Sequence, residues 1–199
     1  CINTQYVLSN RAFSVDHDSI AYELVPPMIN DTDTVQYKPG YSSLQPIGGG
    51  FTFDPNTGNM YVNSITSDIG IYALYARQYR HGELIGKIER DIVILVDNCN
   101  NHQPAATGFN NTLNYSLDVC PGHDNCFSIS TSDPEGGNTM GYCVSEMPFA
   151  LIPSSTQPVT LSACWYPSLA DTALSPLQFT VLVADDNCPY RGVLYSTYT

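Results

Sequence analysis

Two stretches of the sequence, 89 positions apart, end in nearly the same residues. Residues 94–99 read Ile-Leu-Val-Asp-Asn-Cys, and residues 182–188 read Leu-Val-Ala-Asp-Asp-Asn-Cys. In both stretches an apolar run, which is typical of a strand, leads into an acidic turn with a cysteine. The spacing is about the length of one small all-β domain. The repeat therefore predicts two tandem domains, each closed by its Asn-Cys exit.

The composition is typical of a secreted or surface-exposed globular protein. Of the 199 residues, 43% are hydrophobic and 11% aromatic, which is enough for two domain cores. Seven Lys+Arg and nineteen Asp+Glu give a net charge of −12, which disfavours nucleic acids and anionic membranes as partners. No run of 18 apolar residues occurs, so we expect no membrane-spanning segment. Because the chain starts at Cys1, we interpret it as a mature product or an excised piece of a longer protein.

Alternating apolar and polar residues predict β-strands along the whole chain. Turn signals such as Asp54–Gly58 and Asp133–Gly137 separate the strands, and His81-Gly82 predicts the turn of a long hairpin. We therefore predict an all-β protein with two tandem immunoglobulin-like or cadherin-like β-sandwich domains stapled by disulfides. Examples of the predicted strands are Ile20–Val25, Ile71–Tyr79, Leu84–Val96, Val159–Trp165 and Leu177–Val183.

The polar stretch Asn98–Pro104 marks the predicted boundary, with one domain at residues 1–98 and the other at residues 99–199. A strand-like run, Thr112–Val119, precedes Cys120 in the second half and has no counterpart before Cys1. We therefore expect the first domain to lack its first strand. We also expect residues 189–199 to open or cap a further unit.

The seven cysteines predict structural disulfides and an oxidising compartment. A zinc site is disfavoured because no Cys-x2-Cys pair occurs and the four histidines do not lie at zinc-ligand spacings. The odd number of cysteines leaves at least one thiol unpaired or bonded elsewhere.

Closely spaced acids precede a predicted strand in each half. Asp16 and Asp18 form the first pair, and Asp133 and Glu135 form the second. Carboxylates two residues apart in a loop can bind one calcium ion, and so these four residues are the candidate calcium ligands. Calcium is the only cofactor that we consider. The alternative is an Asx turn, in which aspartate accepts hydrogen bonds from nearby backbone N–H groups.

Few residues suggest catalysis. The sequence around Asp16 and Asp18 does not support a glycosidase or an aspartic protease, and no Gly-x-Ser-x-Gly motif occurs. We therefore predict no catalytic residues and no enzymatic activity. Trp165, which follows Cys164, is a candidate for stacking on a sugar ring. The alternative is a core position, which is more common for a lone Trp beside a cysteine in a β-domain.

Five motifs follow one another in the first half. They are Asp16–Leu24, Pro39–Ser42, Asp54–Gly58, Tyr79–Ile92 and Asn98-Cys99. In this order they resemble the repeat modules of gliding-motility-associated, adhesin-like surface proteins of Bacteroidetes, which are exported by the type IX secretion system. The stretch Tyr79–Ile92 is the most specific. The first half departs from the pattern because Val7 occupies the place of a second early cysteine.

The second half resembles these modules more loosely, because it lacks the long Arg-Asp hairpin. Cys120 and Cys126 have the five-residue gap of the modules, and Asp133–Gly137 and Cys164–Pro167 match two further motifs. The resemblance implies the disulfide pairs Cys1–Cys99, Cys120–Cys188 and Cys126–Cys164, with Cys143 left over. One alternative pairs Cys126 with Cys143 and leaves Cys164 free. Another makes Cys1 the acylated residue of a mature lipoprotein.

The resemblance also implies a role. We expect a non-catalytic segment of a large secreted adhesin or filament at the exterior of the outer membrane, which acts as a spacer and display module in surface attachment and gliding motility. Its expected partners are neighbouring repeats of the same chain, and surface glycans or other cell-surface proteins. Thr34 and Thr172 follow aspartate in motifs that resemble the O-glycosylation signal of Bacteroidetes. The competing hypothesis is a carbohydrate-binding accessory module of a secreted polysaccharide-degrading enzyme.

Overall fold

The computed structural model of the chain describes residues 1–12, 14, 16–145 and 147–199. The described residues form an all-β protein, as predicted, with two compact units and one disulfide bond in each. Unit 1 is Cys1–Asn100 and unit 2 is Asn101–Thr199. The division lies two residues after the predicted boundary.

Unit 1 is a sandwich of two three-stranded antiparallel sheets. One sheet has the order β1-β4-β3, and the other has the order β2-β5-β6. Tyr72 and Met60, from opposite sheets, are both fully buried, so the core lies between the two layers. The strands are β1 (Tyr6–Leu8), β2 (Ser19–Val25), β3 (Phe51–Phe53), β4 (Met60–Val62), β5 (Asp68–Arg80) and β6 (Glu83–Val96).

The hairpin of β5 and β6 is the longest element of unit 1. Its two strands have 13 and 14 residues and are joined by His81 and Gly82. Both turn residues have positive φ, 50° and 85°, which is the backbone of the tight turn that matches the twist of a hairpin. The prediction of a hairpin that turns at His81-Gly82 is confirmed. The same hairpin brings Arg80 to the end of β5, where it reaches the first acidic loop.

Unit 2 is a sandwich of a four-stranded and a three-stranded sheet, with the orders β10-β11-β8-β7 and β13-β12-β9. An aromatic cluster of Phe109, Phe127, Phe179 and Tyr198 fills the space between them, with ring centroids 4.9–6.2 Å apart. The strands are β7 (Ala105–Ala106), β8 (Asn125–Ser132), β9 (Thr139–Cys143), β10 (Ile152–Pro153), β11 (Thr160–Trp165), β12 (Phe179–Asp185) and β13 (Val193–Tyr198). Short 3-10 segments occupy Phe109–Asn111 and Leu169–Leu174.

The two units share one topology. In sheet order, strands β1 to β6 of unit 1 correspond to β8 to β13 of unit 2, and all neighbours in both are antiparallel. Strand β7 is an addition in unit 2, where it pairs with β8. That the first domain lacks its opening strand stays a prediction.

The two Asn-Cys exits, however, are not equivalent in the fold. Cys99 follows β6, the last strand of unit 1, whereas Cys188 lies in the turn between β12 and β13. The position of Cys188 therefore corresponds to the His81-Gly82 turn of unit 1. The prediction that Asn-Cys closes each half is wrong for unit 2, because a further strand follows it.

Two other expectations for the second half are also corrected. Residues 189–199 do not open another unit, because β13 pairs with β12 over its whole length. Thr112–Val119 does not form a regular strand. Its backbone meets the last residue instead, since the Leu117 N–H donates to the Thr199 carbonyl and the Thr199 N–H donates to the Tyr115 carbonyl, each at 2.9 Å.

Candidate functional site

Each unit contains one disulfide bond. Cys1 bonds Cys99 across a sequence separation of 98, next to the hydrogen bond from the Ile2 N–H to the Asp97 carbonyl. Cys126 bonds Cys164 across a separation of 38, and the two residues are direct cross-strand partners on β8 and β11. Both bonds were among the three that the resemblance implied. The alternative pair Cys126–Cys143 is wrong because Cys126 bonds Cys164, and the Cys1 sulfur is bonded to Cys99 rather than left for a lipid.

The third implied bond, Cys120–Cys188, is wrong. Both residues are exposed free thiols, and half-buried Cys143 is a third. Cys120 lies five residues before β8, and its N–H donates to the side chain of Asn125, the first residue of that strand. Cys188 lies beyond the other end of that strand. It follows β12, which ends opposite Thr139, and the Thr139 side chain contacts Thr131 near the end of β8. The eight residues of β8 hold the two thiols many ångströms beyond disulfide reach.

Asp16 and Asp18 both bind the guanidinium group of Arg80. Asp18 accepts from Arg80 Nε at 2.8 Å and from Nη2 at 2.9 Å, and Nη2 also donates to Asp16. The Asp18 side chain is 4% exposed and also accepts from Gln78 and Ser14. The Arg80 guanidinium, aided by these donors, holds the pKa of Asp18 well below its usual range. The cation that the two carboxylates share is therefore the Arg80 guanidinium, which belongs to the same unit.

Asp133 and Glu135 also have partners within their own unit. The Asp133 carboxylate accepts from the Glu135 N–H at 3.0 Å and from the Gly137 N–H at 2.9 Å, which is an Asx-type turn. Glu135 pairs with the His102 ring. Among the described residues no group of three or more His, Cys, Asp or Glu side chains could hold a metal ion. No observation tests calcium binding directly, but the partners of Asp16, Asp18 and Asp133 favour the alternative in which these loops are turns.

Asp185 is a buried carboxylate whose role the sequence did not reveal. It ends β12 on the core side and is 0% exposed. Its oxygens accept from the Gly192 N–H at 3.0 and 2.9 Å, from the Asn187 N–H at 3.1 Å and from Asn101 Nδ2 at 3.0 Å. A Cβ at position 192 would lie 2.3 Å from Asp185 Oδ2, so the turn requires glycine there. The signal that could have predicted this role is the strand alternation, which places Asp185 on the same face as Val183.

Trp165 lines a groove of about 460 Å³ in unit 2. Trp165 is half-buried at the end of β11, and its ring packs against Phe149 with centroids 5.4 Å apart. The surrounding surface mixes apolar side chains with carboxylates and hydroxyls. We call this feature the Trp165 groove; it is lined by Leu117, Asp118, Pro121, Trp165, Pro167, Asp171, Thr172 and Leu177, among others. The contact with Phe149 agrees with the core interpretation of Trp165, and its place in the groove lining agrees with the stacking interpretation.

The two candidate glycosylation sites differ in surroundings. Thr172 is exposed in the Leu169–Leu174 segment, and its hydroxyl donates to the Leu169 carbonyl at 2.7 Å. Thr34 is half-buried in an isolated bridge with Met28. Glycosylation at either residue stays a prediction, with Thr172 the more accessible of the two.

No protein-family model and no curated protein matches the sequence. The chain resembles the solved extracellular domain of Protocadherin GammaB4, with 16% identity, coverage of 93% of this chain and 26% of that chain, and a TM-score of 0.35. Drosophila N-cadherin EC1-3 matches with 13% identity and a TM-score of 0.31, and the match covers 90% of this chain and 54% of that chain. The tandem Ig repeats of Dlar match with 10% identity and a TM-score of 0.30, and the match covers 96% of this chain and 86% of that chain.

The chain thus spans about a quarter to a half of the length of the two cadherin structures. All three TM-scores are below 0.5, so the fold assignment rests on the strand order and pairing in this chain. No helix within the described residues is long and apolar enough to cross a membrane.

Proposed function

We propose that this chain is a non-catalytic, two-unit segment of an extracellular surface protein, which spaces and displays the segments next to it. The observation that carries the proposal is the Cys1–Cys99 bond, which ties the two ends of unit 1 to each other. The disulfides of both units favour an oxidising, extracellular location.

The Cys1–Cys99 bond makes unit 1 inextensible. Tension that enters at Cys1 and leaves at Asn100 passes through the covalent bond between Cys1 and Cys99. The residues between the two cysteines, which include every strand of the unit, therefore carry no load. A sandwich that is bypassed in this way keeps its length under a pull that would separate noncovalently paired strands.

Unit 2 is protected differently. Its bond joins neighbouring strands β8 and β11, so it shields the 38-residue loop but leaves β7, β12 and β13 in the path of the force. The two units would thus behave as a rigid spacer followed by a partly extensible one. This difference is useful in an adhesive array, where one segment keeps its length while the next lengthens.

The wider setting is also part of the proposal. We place the segment in a long, exported surface protein of the gliding-motility adhesin type, at the exterior of the outer membrane. The support is the order of five motifs in residues 16–99 that resembles those repeat modules, together with the shared topology of the two units. Neighbouring repeats of the same chain and other surface molecules are the partners that such a role implies.

Stretching single molecules by their two ends tests the mechanical role. In oxidising buffer we expect extension from unit 2 alone, and the length of unit 1 should appear only after reduction. Extension of unit 1 with its disulfide intact would refute the proposal.

A further inference from the structure

We infer that the Trp165 groove binds a neutral sugar unit of an oligosaccharide. The site lies wholly within unit 2 and is independent of the proposed spacing role, so either can fail without the other. It would make the segment adhesive as well as structural.

Trp165 provides a fixed aromatic floor for the groove. On β11 its side chain has the same parity as buried Leu161 and Ala163, so it faces inward at the end of the strand. The contact with Phe149 holds the ring, while the groove-facing part of the same side chain remains open. A sugar ring presents a C–H face that packs on such a surface, and a ring already fixed loses little entropy on binding.

Polar groups on the rim are positioned before any ligand arrives. Asp171 Oδ2 accepts from the Ser168 N–H at 2.6 Å and from the Ser168 hydroxyl at 2.8 Å, which fixes the carboxylate at the start of the Leu169–Leu174 segment. The Thr172 hydroxyl donates its hydrogen to the Leu169 carbonyl, so the lone pairs of its oxygen remain as acceptors. Sugar hydroxyls are donors, and they match this set of acceptors.

The charge of the rim selects among sugars. Asp118 and Asp171 both line the groove. Among the residues that the structure describes, no Lys, Arg or His lines it. Since the whole chain also carries a net charge of −12, a uronic or sulfated sugar would meet repulsion without a compensating cation. The groove therefore favours a neutral oligosaccharide, and its volume of about 460 Å³ lies within the usual range of ligand sites.

The sequence supplies its own reporter for a test, because Trp165 is its single tryptophan. We would titrate the 199-residue chain with panels of neutral and of uronic oligosaccharides while following tryptophan emission, and repeat the positive titrations by calorimetry. Neutral oligomers should shift the emission saturably, whereas the uronic oligomers should not. The absence of saturable binding by every neutral oligomer would overturn the inference.

Variants locate the binding site. Trp165→Ala should weaken binding at least about tenfold, and Trp165→Phe, which keeps an aromatic ring against Phe149, should weaken it less. Tyr166→Ala is the matched control, because exposed Tyr166 is the next residue but does not line the groove. Calorimetry reads the affinities, and circular dichroism melting shows that each variant is folded. Unchanged affinity in folded Trp165→Ala would contradict the site.

One substitution tests the charge argument separately. Asp118→Lys replaces an exposed rim carboxylate with a cation, and the affinity for uronic oligomers should rise from undetectable to measurable. If neutral oligomers bind but Asp118→Lys leaves the preference unchanged, the selection of neutral sugars by rim charge is wrong.

Discussion

The disulfide between Cys1 and Cys99 joins a residue ahead of the first strand of unit 1 to a residue three positions beyond Val96, where the last strand ends. Every strand of the unit therefore lies within one closed covalent loop. Cys126 and Cys164 instead lie opposite each other on paired strands and enclose only β9, β10 and parts of β8 and β11. The two bonds thus have different consequences for stability and for mechanical response.

Removal of the Cys1–Cys99 bond should strongly destabilise unit 1. A loop of 98 residues restricts the unfolded chain by about 4–5 kcal/mol in the chain-entropy model. We expect Cys1→Ser/Cys99→Ser to lower the free energy of unfolding of unit 1 by that amount in urea denaturation followed by far-ultraviolet circular dichroism. Trp165 fluorescence, which reports on unit 2, should show an unchanged transition. A loss of stability below about 1 kcal/mol would contradict the role given to this bond.

Asp185 should be a large contributor to the stability of unit 2. Asp185→Ala removes the acceptor of the Gly192 N–H and of the Asn101 amide in a buried position, where such a loss costs about 2–4 kcal/mol. The measurement is urea denaturation followed by Trp165 fluorescence. The neighbouring Asp186 is exposed, so Asp186→Ala is the matched control and should cost under about 1 kcal/mol. Equal effects of the two variants would show that the buried network is unimportant.

The Arg80 ion pair should give unit 1 an acid-sensitive stability. The pKa of Asp18 is depressed in the folded state from an unfolded value of about 3.9, so its contribution is full above that value. The contribution is lost as the pH falls below about 4, because the unfolded state binds the proton first. We expect the difference in melting temperature between the wild type and Arg80→Gln to be largest above about pH 5 and to shrink below about pH 4.

Arg11→Gln makes the same charge change at an exposed residue of unit 1 and serves as the control. Its melting temperature should follow that of the wild type across the pH range. If Arg80→Gln also followed the wild type at every pH, the ion pair with Asp16 and Asp18 would not contribute to stability.

Calcium should leave the melting temperature unchanged relative to a chelator. A calcium ion needs six to eight oxygen ligands, whereas Asp16 and Asp18 are engaged by Arg80 and Asp133 is engaged by backbone N–H groups. Calorimetric melting of the wild type in both buffers is the measurement. A higher melting temperature in calcium that is lost in Asp133→Asn would instead establish the second loop as a calcium site.

Local pattern was sufficient to predict much of the fold. The strand alternation of residues 71–79 and 84–96, with the turn signal His81-Gly82 between them, predicted the long hairpin. Both signals depend only on residues that are close in sequence, and the structure confirms the pairing and the positive φ of the turn. The alternation also predicted β-sandwiches, whereas the division into two units was predicted from the repeated Asn-Cys exit, whose two copies are not equivalent in the fold. Strand order within each sheet was not predictable in this way, since it depends on contacts between distant residues.

The errors arose where similar residues occupy different places in the fold. Asn98-Cys99 and Asn187-Cys188 look alike, but one follows an edge strand and the other is in a hairpin turn. The pairing of Cys120 with Cys188 failed because β8 separates them along its whole length. The Arg80 contact with Asp16 and Asp18 spans more than 60 positions, and nothing near either acid in the sequence predicts it.

The force response of the intact chain tests the central claim most directly. With both disulfides present, stretching by the two ends should show no extension from unit 1. After reduction, the 98-residue and 38-residue loops should release about 340 Å and about 130 Å of additional contour length, at about 3.5 Å per residue. Cys1→Ser/Cys99→Ser should release the longer step without reductant. An oxidised chain that already shows the step of about 340 Å would contradict the account.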